Sequence, residues 1–114
     1  MRQVAGARRG LDMWLVQRAS AVYMAVFLIV FLALALTAGP LDYAAWRGLF
    51  APLAMKVAGL IFVAALLAHA WIGLREIFID YVHFLVARLA LYLAFAALYL
   101  GCLIWAVDIL WSVQ

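Results

Sequence analysis

Charge is what this sequence has least of. Of its 114 residues only 11% are Asp, Glu, Lys or Arg, where an ordinary soluble domain has about a quarter. A water-soluble domain of this length must clothe its core in polar side chains, and a chain that is 74% hydrophobic has too few of them. Water is therefore excluded as the solvent for most of the chain, and lipid takes its place. Cysteine is nearly absent: Cys102 stands alone in an apolar run, which rules out an intrachain disulfide and reads as a small packing residue. Nucleotide, redox and protease signatures (GxGxxG, P-loop, CxxC, HExxH) are missing too. The chain is too short to carry a flavin domain or a set of iron–sulfur clusters, so it joins any such chemistry as a component. Strand alternation is missing as well, which leaves helix as the only way to satisfy backbone groups in lipid.

What is present is three uncharged apolar runs. The first extends from Ala19 to Leu41 and is ended by Gly39-Pro40, since proline cannot continue the helical ladder. The second, Val57 to Leu74, lies between Lys56 and Arg75; the third, Leu89 to Val107, between Arg88 and Asp108. A spanning helix needs about 20 apolar residues. These runs predict an all-α integral membrane protein, a single transmembrane domain over 1–114 with helices at roughly 17–39, 53–80 and 86–111.

The net charge of +3 is read here as topology and not as nucleic-acid binding. Arg2, Arg8, Arg9, Arg18, Arg75 and Arg88 fall on one side, and Arg47 and Lys56 on the other. The positive-inside rule then places the N-terminus and the 75–88 loop inside and the C-terminus outside. A cleaved signal peptide is the competing reading of the first 35 residues, with a small-x-small site at Ala33-Leu34-Ala35. The first apolar run is about 20 residues, longer than the roughly 7–15 of a signal core, which favours a retained helix.

The two loops differ. Residues 39–56 carry Tyr43, Trp46 and Phe50 and read as an interfacial anchor. Residues 75–88 gather Arg75, Glu76, Asp80, His83 and Arg88 among large apolar groups.

Three places could carry chemistry. His69 lies six residues, or roughly 9 Å, from the inner end of the second helix. A histidine there either hydrogen-bonds a neighbouring helix or ligates haem iron. Ala65 and Gly73, one turn to either side, suit a flat macrocycle and close helix packing equally well. A haem with two histidine ligands would need its second from another chain. Arg18, at the inner mouth of the first helix, is a topological anchor or a partner for a carboxylate. Asp80-Tyr81 offers a phenolic donor beside a carboxylate, suited either to a quinone carbonyl and its protons or to an interfacial anchor with Asp80 salt-bridged to Arg75 or Arg88. Tyr92, Ala96 and Tyr99 share a face of the third helix and read as packing, while Asp108 and Trp111 mark its outer boundary.

The segments His69-Ala70-Trp71-Ile72-Gly73 and Asp80-Tyr81-Val82-His83, with the spacing H-x3-G-x6-D-Y, resemble the second helix and following loop of the small hydrophobic anchor subunits of succinate dehydrogenase. Val16-Gln17-Arg18-Ala19-Ser20-Ala21 resembles the start of their first helix. The resemblance covers nearly the whole chain. It implies half of a heterodimeric helical anchor, with no catalytic residue in this chain alone. It implies that His69 is an axial ligand of haem b, that the companion cytochrome b anchor subunit supplies the other ligand, and that Arg18 lies near the haem propionates. Tyr81 would hydrogen-bond ubiquinone, with Asp80 beside it as quinone contact or proton relay. The implied partners are an iron–sulfur subunit and a flavoprotein subunit, in a bacterial plasma membrane or a mitochondrial inner membrane. No role is assigned to Arg75, Glu76 or His83. The alternatives are a fumarate reductase anchor, a small proton-coupled exporter, and an assembly protein without cofactor. The exporter class is disfavoured because no acid lies between Ala19 and Leu41.

Overall fold

The computed structural model describes the backbone from Ala5 to Gln114 and side chains from Gly10 onward. Arg2 lies outside the described residues, and Arg8 and Arg9 are described as helix backbone only. Four helices are present, α1 Ala5–Thr37, α2 Tyr43–Phe50, α3 Leu53–Tyr81 and α4 Leu85–Ser112, with no strand among the described residues. Three are long and apolar enough to cross a membrane: Gly10–Thr37, Leu53–Tyr81 and Leu85–Ser112. At 28 or 29 residues each, they exceed the roughly 20 residues that cross the hydrocarbon core. Their ends therefore reach the headgroup region, or the helices tilt.

The connection between α1 and α3 holds more structure than its composition suggests. Gly39 takes a left-handed φ of 84° at the end of α1, a conformation that suits a residue without Cβ, and Pro40 follows. The Asp42 carboxylate then accepts a hydrogen bond from the Ala45 N–H at 2.8 Å and caps α2. Residues 39–56, read from sequence as an interfacial loop, thus include a two-turn helix. Trp46 and Phe50 turn onto Phe31, with ring centroids 5.8 and 5.6 Å away, whereas Tyr43 stays 80% exposed.

Helix α3 is central, with α1 and α4 each packing against it. On one side, Tyr23, Phe27 and Phe31 form a stacked ladder along α1. Phe27 meets Phe62 of α3 at 4.7 Å. The Tyr23 hydroxyl donates to the Ala58 carbonyl of α3 at 2.6 Å. On the other side, Gly59 lies against Leu110, and Trp71 and Phe78 of α3 interleave with Tyr92, Phe95 and Tyr99 of α4. The Lys56 ammonium donates to the Val113 carbonyl at the C-terminal end of α4, where a cation is favoured by the helix dipole.

The result is a slab of 58 × 31 × 21 Å in which Ala35, Ile72, Phe78 and Leu110 are the buried apolar residues. Large apolar side chains such as Val22, Ile29, Leu36, Leu93 and Ile104 are more than 60% exposed. In water such faces would drive aggregation. In a bilayer they are the surface that meets lipid tails or other helices.

Two substitutions test this packing. Tyr23→Phe keeps the ring stack and removes one interhelical hydrogen bond, so it should lower stability by about 0.6–1.7 kcal/mol, read from SDS-induced unfolding. Gly59→Ala should be tolerated, because an added Cβ would sit 3.8 Å from both Leu110 methyl groups. Gly59→Leu should separate α3 from α4 and reduce the amount of folded chain recovered from membranes.

Candidate functional site

The half of the α1–α3 contact nearer the end of α3 holds the polar residues that the apolar runs do not account for. Ser20 lies on α1 and is buried, at 7% exposure. Its hydroxyl donates to the Gln17 carbonyl one turn earlier at 2.9 Å, a common resting place for a serine inside a helix. Opposite, on α3, the His69 ring turns its Nδ1 toward α1. That nitrogen is 3.2 Å from Ser20 Oγ and 3.3 Å from the Gln17 carbonyl oxygen. The imidazole is therefore tied to the neighbouring helix through one nitrogen, which orients the ring. Both sequence readings of His69 bear on this geometry: the interhelical hydrogen bond is present, and it engages Nδ1 alone.

Gln17, Arg18, Ala21 and His69 line a recess of about 230 Å³. The Arg18 guanidinium carbon lies 5.4 Å from the centroid of the Trp14 ring, a cation–π stack that holds the side chain near the mouth of the recess. A Cβ added at Gly73, one turn from His69 on α3, would meet nothing within 4 Å. Gly73 is therefore not a tight helix-packing contact within this chain, and it leaves room beside the histidine.

The end of α3 and the start of α4 bring the remaining candidates together less closely. Asp80 and Tyr81 close α3 and are exposed, Tyr81 by 79%. The Val82 N–H bonds to the Phe78 carbonyl and ends the helix there. Tyr81 lies twelve residues beyond His69, or about 18 Å along the helix axis, so the two do not form one site within this chain. The salt bridge considered for Asp80 is not what the arginines make. Arg75 donates to the Met13 sulfur of α1 at 2.7 Å, and Arg88 Nε is buried with no partner among the described residues. His83 is exposed. The rings of Tyr92 and Tyr99 pack on Trp71, in keeping with the packing role read from their spacing.

Ser20 and the Gln17 carbonyl are the site residues that sequence reasoning passed over. The available signal was a lone serine one turn past Gln17 in an apolar run. Its partner is 49 residues away, and no local pattern connects them.

The donor set fits a haem better than a bare metal ion. Among the described residues no group of three or more His, Cys, Asp or Glu side chains could hold a metal. A single imidazole is a known kind of ligand for haem iron, and the arginine beside it and the open space at Gly73 are compatible with that group.

Comparison with known proteins identifies the family. The family described as Succinate dehydrogenase/Fumarate reductase transmembrane subunit matches residues 1–107. A protein of Coxiella burnetii named Succinate dehydrogenase hydrophobic membrane anchor subunit is 44% identical over 108 residues, covering 92% of this chain and 91% of its own. With three membrane-crossing helices and a match along nearly its full length, this chain belongs to the family of succinate dehydrogenase and fumarate reductase transmembrane subunits.

Proposed function

We propose that this anchor subunit would hold the iron of a haem b through His69 Nε2 and would present Asp80 and Tyr81 to a ubiquinone at its inner end. One observation carries the haem part of this reading. The His69 imidazole is fixed to α1 through Nδ1 inside a recess shared with Arg18, and ligation through Nε2 uses the nitrogen those contacts do not engage. When bound, the haem supplies a one-electron carrier within the membrane. The rest is the work of this chain's side chains. His69 sets where iron is held. Arg18, stacked on Trp14, offers its forked donors to a propionate carboxylate. Gly73 leaves space beside the ligand for the macrocycle. One imidazole from this chain calls for a second donor from the companion cytochrome b anchor subunit.

The quinone part rests on exposure and chemistry. The Tyr81 phenol is available to donate to a quinone carbonyl, and the adjacent Asp80 carboxylate can pass on the protons that quinone reduction consumes. Both stand at the end of α3, where a soluble electron donor would meet the membrane. The reading orients the N-terminus and the 75–88 loop toward the iron–sulfur and flavoprotein subunits and the C-terminus away from them, in a bacterial plasma membrane or a mitochondrial inner membrane. The direction from succinate to quinone follows the name of the Coxiella burnetii relative.

Two measurements test the two halves separately. His69→Ala should abolish or strongly alter the b-type absorbance of the purified complex while the subunits still co-purify; an unchanged spectrum would refute ligation. Tyr81→Phe should lower succinate-to-quinone turnover by roughly 100-fold, the low end for loss of one positioned proton donor, with succinate oxidation by a soluble dye nearly unaffected. Equal losses in the two assays would remove Tyr81 from the quinone site.

A further inference from the structure

We infer that Ser20 is a positioning residue that fixes the proton of the His69 imidazole on Nδ1 and so reserves Nε2 for iron; this rests on the ligation reading above. A serine hydroxyl has one proton and two lone pairs, and a backbone carbonyl has lone pairs only. The shorter of the two Ser20 contacts, 2.9 Å, runs to the Gln17 carbonyl, and that contact can form only if the hydroxyl donates its proton there. Ser20 Oγ then faces His69 Nδ1 with a lone pair at 3.2 Å. The Gln17 carbonyl faces the same nitrogen with another lone pair at 3.3 Å. Both neighbours of Nδ1 are acceptors, so an Nδ1–H makes both contacts attractive.

The opposite assignment is worse at both contacts. Donation from Ser20 to Nδ1 would give up the 2.9 Å bond. It would also leave a bare Nδ1 opposed to the carbonyl oxygen at 3.3 Å. Such a clash is costly in a water-poor membrane interior, where unmet polar groups are not rescued by solvent. Ser20 is buried at 7% exposure, and its place between the two helices is where the proton assignment is made. A neutral imidazole has one ring proton, so Nδ1–H leaves the lone pair on Nε2.

An acceptor on the far nitrogen does more than orient the ring. It makes the imidazole more basic, and such outer contacts change metal affinity and activity. A more basic ligand favours oxidised iron. Removing the Ser20 acceptor should therefore raise the midpoint potential, while the Gln17 carbonyl retains part of the effect.

The test uses the assembled complex carrying Ser20→Ala, Ser20→Thr or Ser20→Cys. Three quantities are read: haem retained under competing apo-globin, the midpoint potential from a spectroelectrochemical titration, and the g values of the ferric haem by electron paramagnetic resonance. Ser20→Ala should weaken haem retention by about 10-fold, the low end for loss of an outer contact, and should move the potential upward with altered g values. Ser20→Thr, which keeps the hydroxyl, should restore all three. Should Ser20→Ala fail to assemble, Ser20→Cys fills nearly the same space with a weaker acceptor and should move the potential in the same direction. Unchanged retention, potential and g values in Ser20→Ala, or in Ser20→Cys where alanine does not assemble, would overturn the inference. So would a shift in Ser20→Thr as large as that in alanine. If His69→Ala loses the haem while Ser20→Ala behaves as wild type, only the proton assignment fails. If His69→Ala keeps the b-type spectrum, the ligation reading fails first and takes this one with it.

Discussion

The register between α1 and α3 is the constraint on which the half of this protein that holds His69 depends. Three contacts mark it: Met13 with Arg75, Ser20 with His69, and Phe27 with Phe62. On α1 they fall at seven-residue intervals, and on α3 at intervals of six and seven. That is the spacing at which two helices keep a common seam, the 3.5-residue period of coiled-coil packing. Two of the three contacts are polar and the third is a ring stack. Without a hydrophobic force between helices in lipid, contacts of these kinds are what distinguish one register from its neighbours. A slide of one turn would part His69 from Ser20 and Arg75 from Met13 together.

The same slab is incomplete by construction. Among the described residues, helix α3 is flanked by two long helices, while α1 and α4 each pack against one long helix, α3. Their outer faces carry Val22, Ile29, Leu93 and Ile104 without a covering layer. The arginines at the end of the slab that holds His69 are also weakly answered from within. Arg18 is met by a Trp14 face, Arg75 by a thioether, and Arg88 Nε by nothing among the described residues. Aromatic faces and sulfur are weak answers to a guanidinium beside those a carboxylate would give.

Much of this was legible in the sequence, and what was not has a physical reason. The three spans declare themselves through composition, because the bilayer imposes a length and a polarity that few other structures share. His69 stands out as an imidazole within an apolar run, and the D-Y pair as a change of character just past it. The short helix α2 was hidden because its cues, the Asp42 cap and the Trp46 and Phe50 faces, also describe an interfacial loop; what decides between them is the position of Phe31 on another helix. Ser20 was hidden for the same kind of reason. A serine beside alanines carries no local mark of importance. It gains one when α1 and α3 settle in a register that puts its oxygen against Nδ1, and that register is a property of the pair.

The division of labour along α3 follows from where the helix is supported. His69 lies where α1 grips α3, and it is flanked along α3 by Phe62, which stacks on Phe27, and by Arg75, which reaches Met13. An iron ligand must hold its direction to within a fraction of an ångström, so a doubly packed helix is the place for it. Tyr81 is the last residue of the same helix and is 79% exposed. Phe78, three residues earlier, is the last point on α3 held firmly, by Tyr92 and Phe95 of α4. Beyond it the chain turns and presents its polar groups outward. On this reading the chain orients the proposed iron ligand with its own residues. Its proposed quinone residues wait for surfaces from other subunits to complete their site. A defect in α1–α3 packing and a defect in subunit docking would then reach the two functions separately, although one helix carries both.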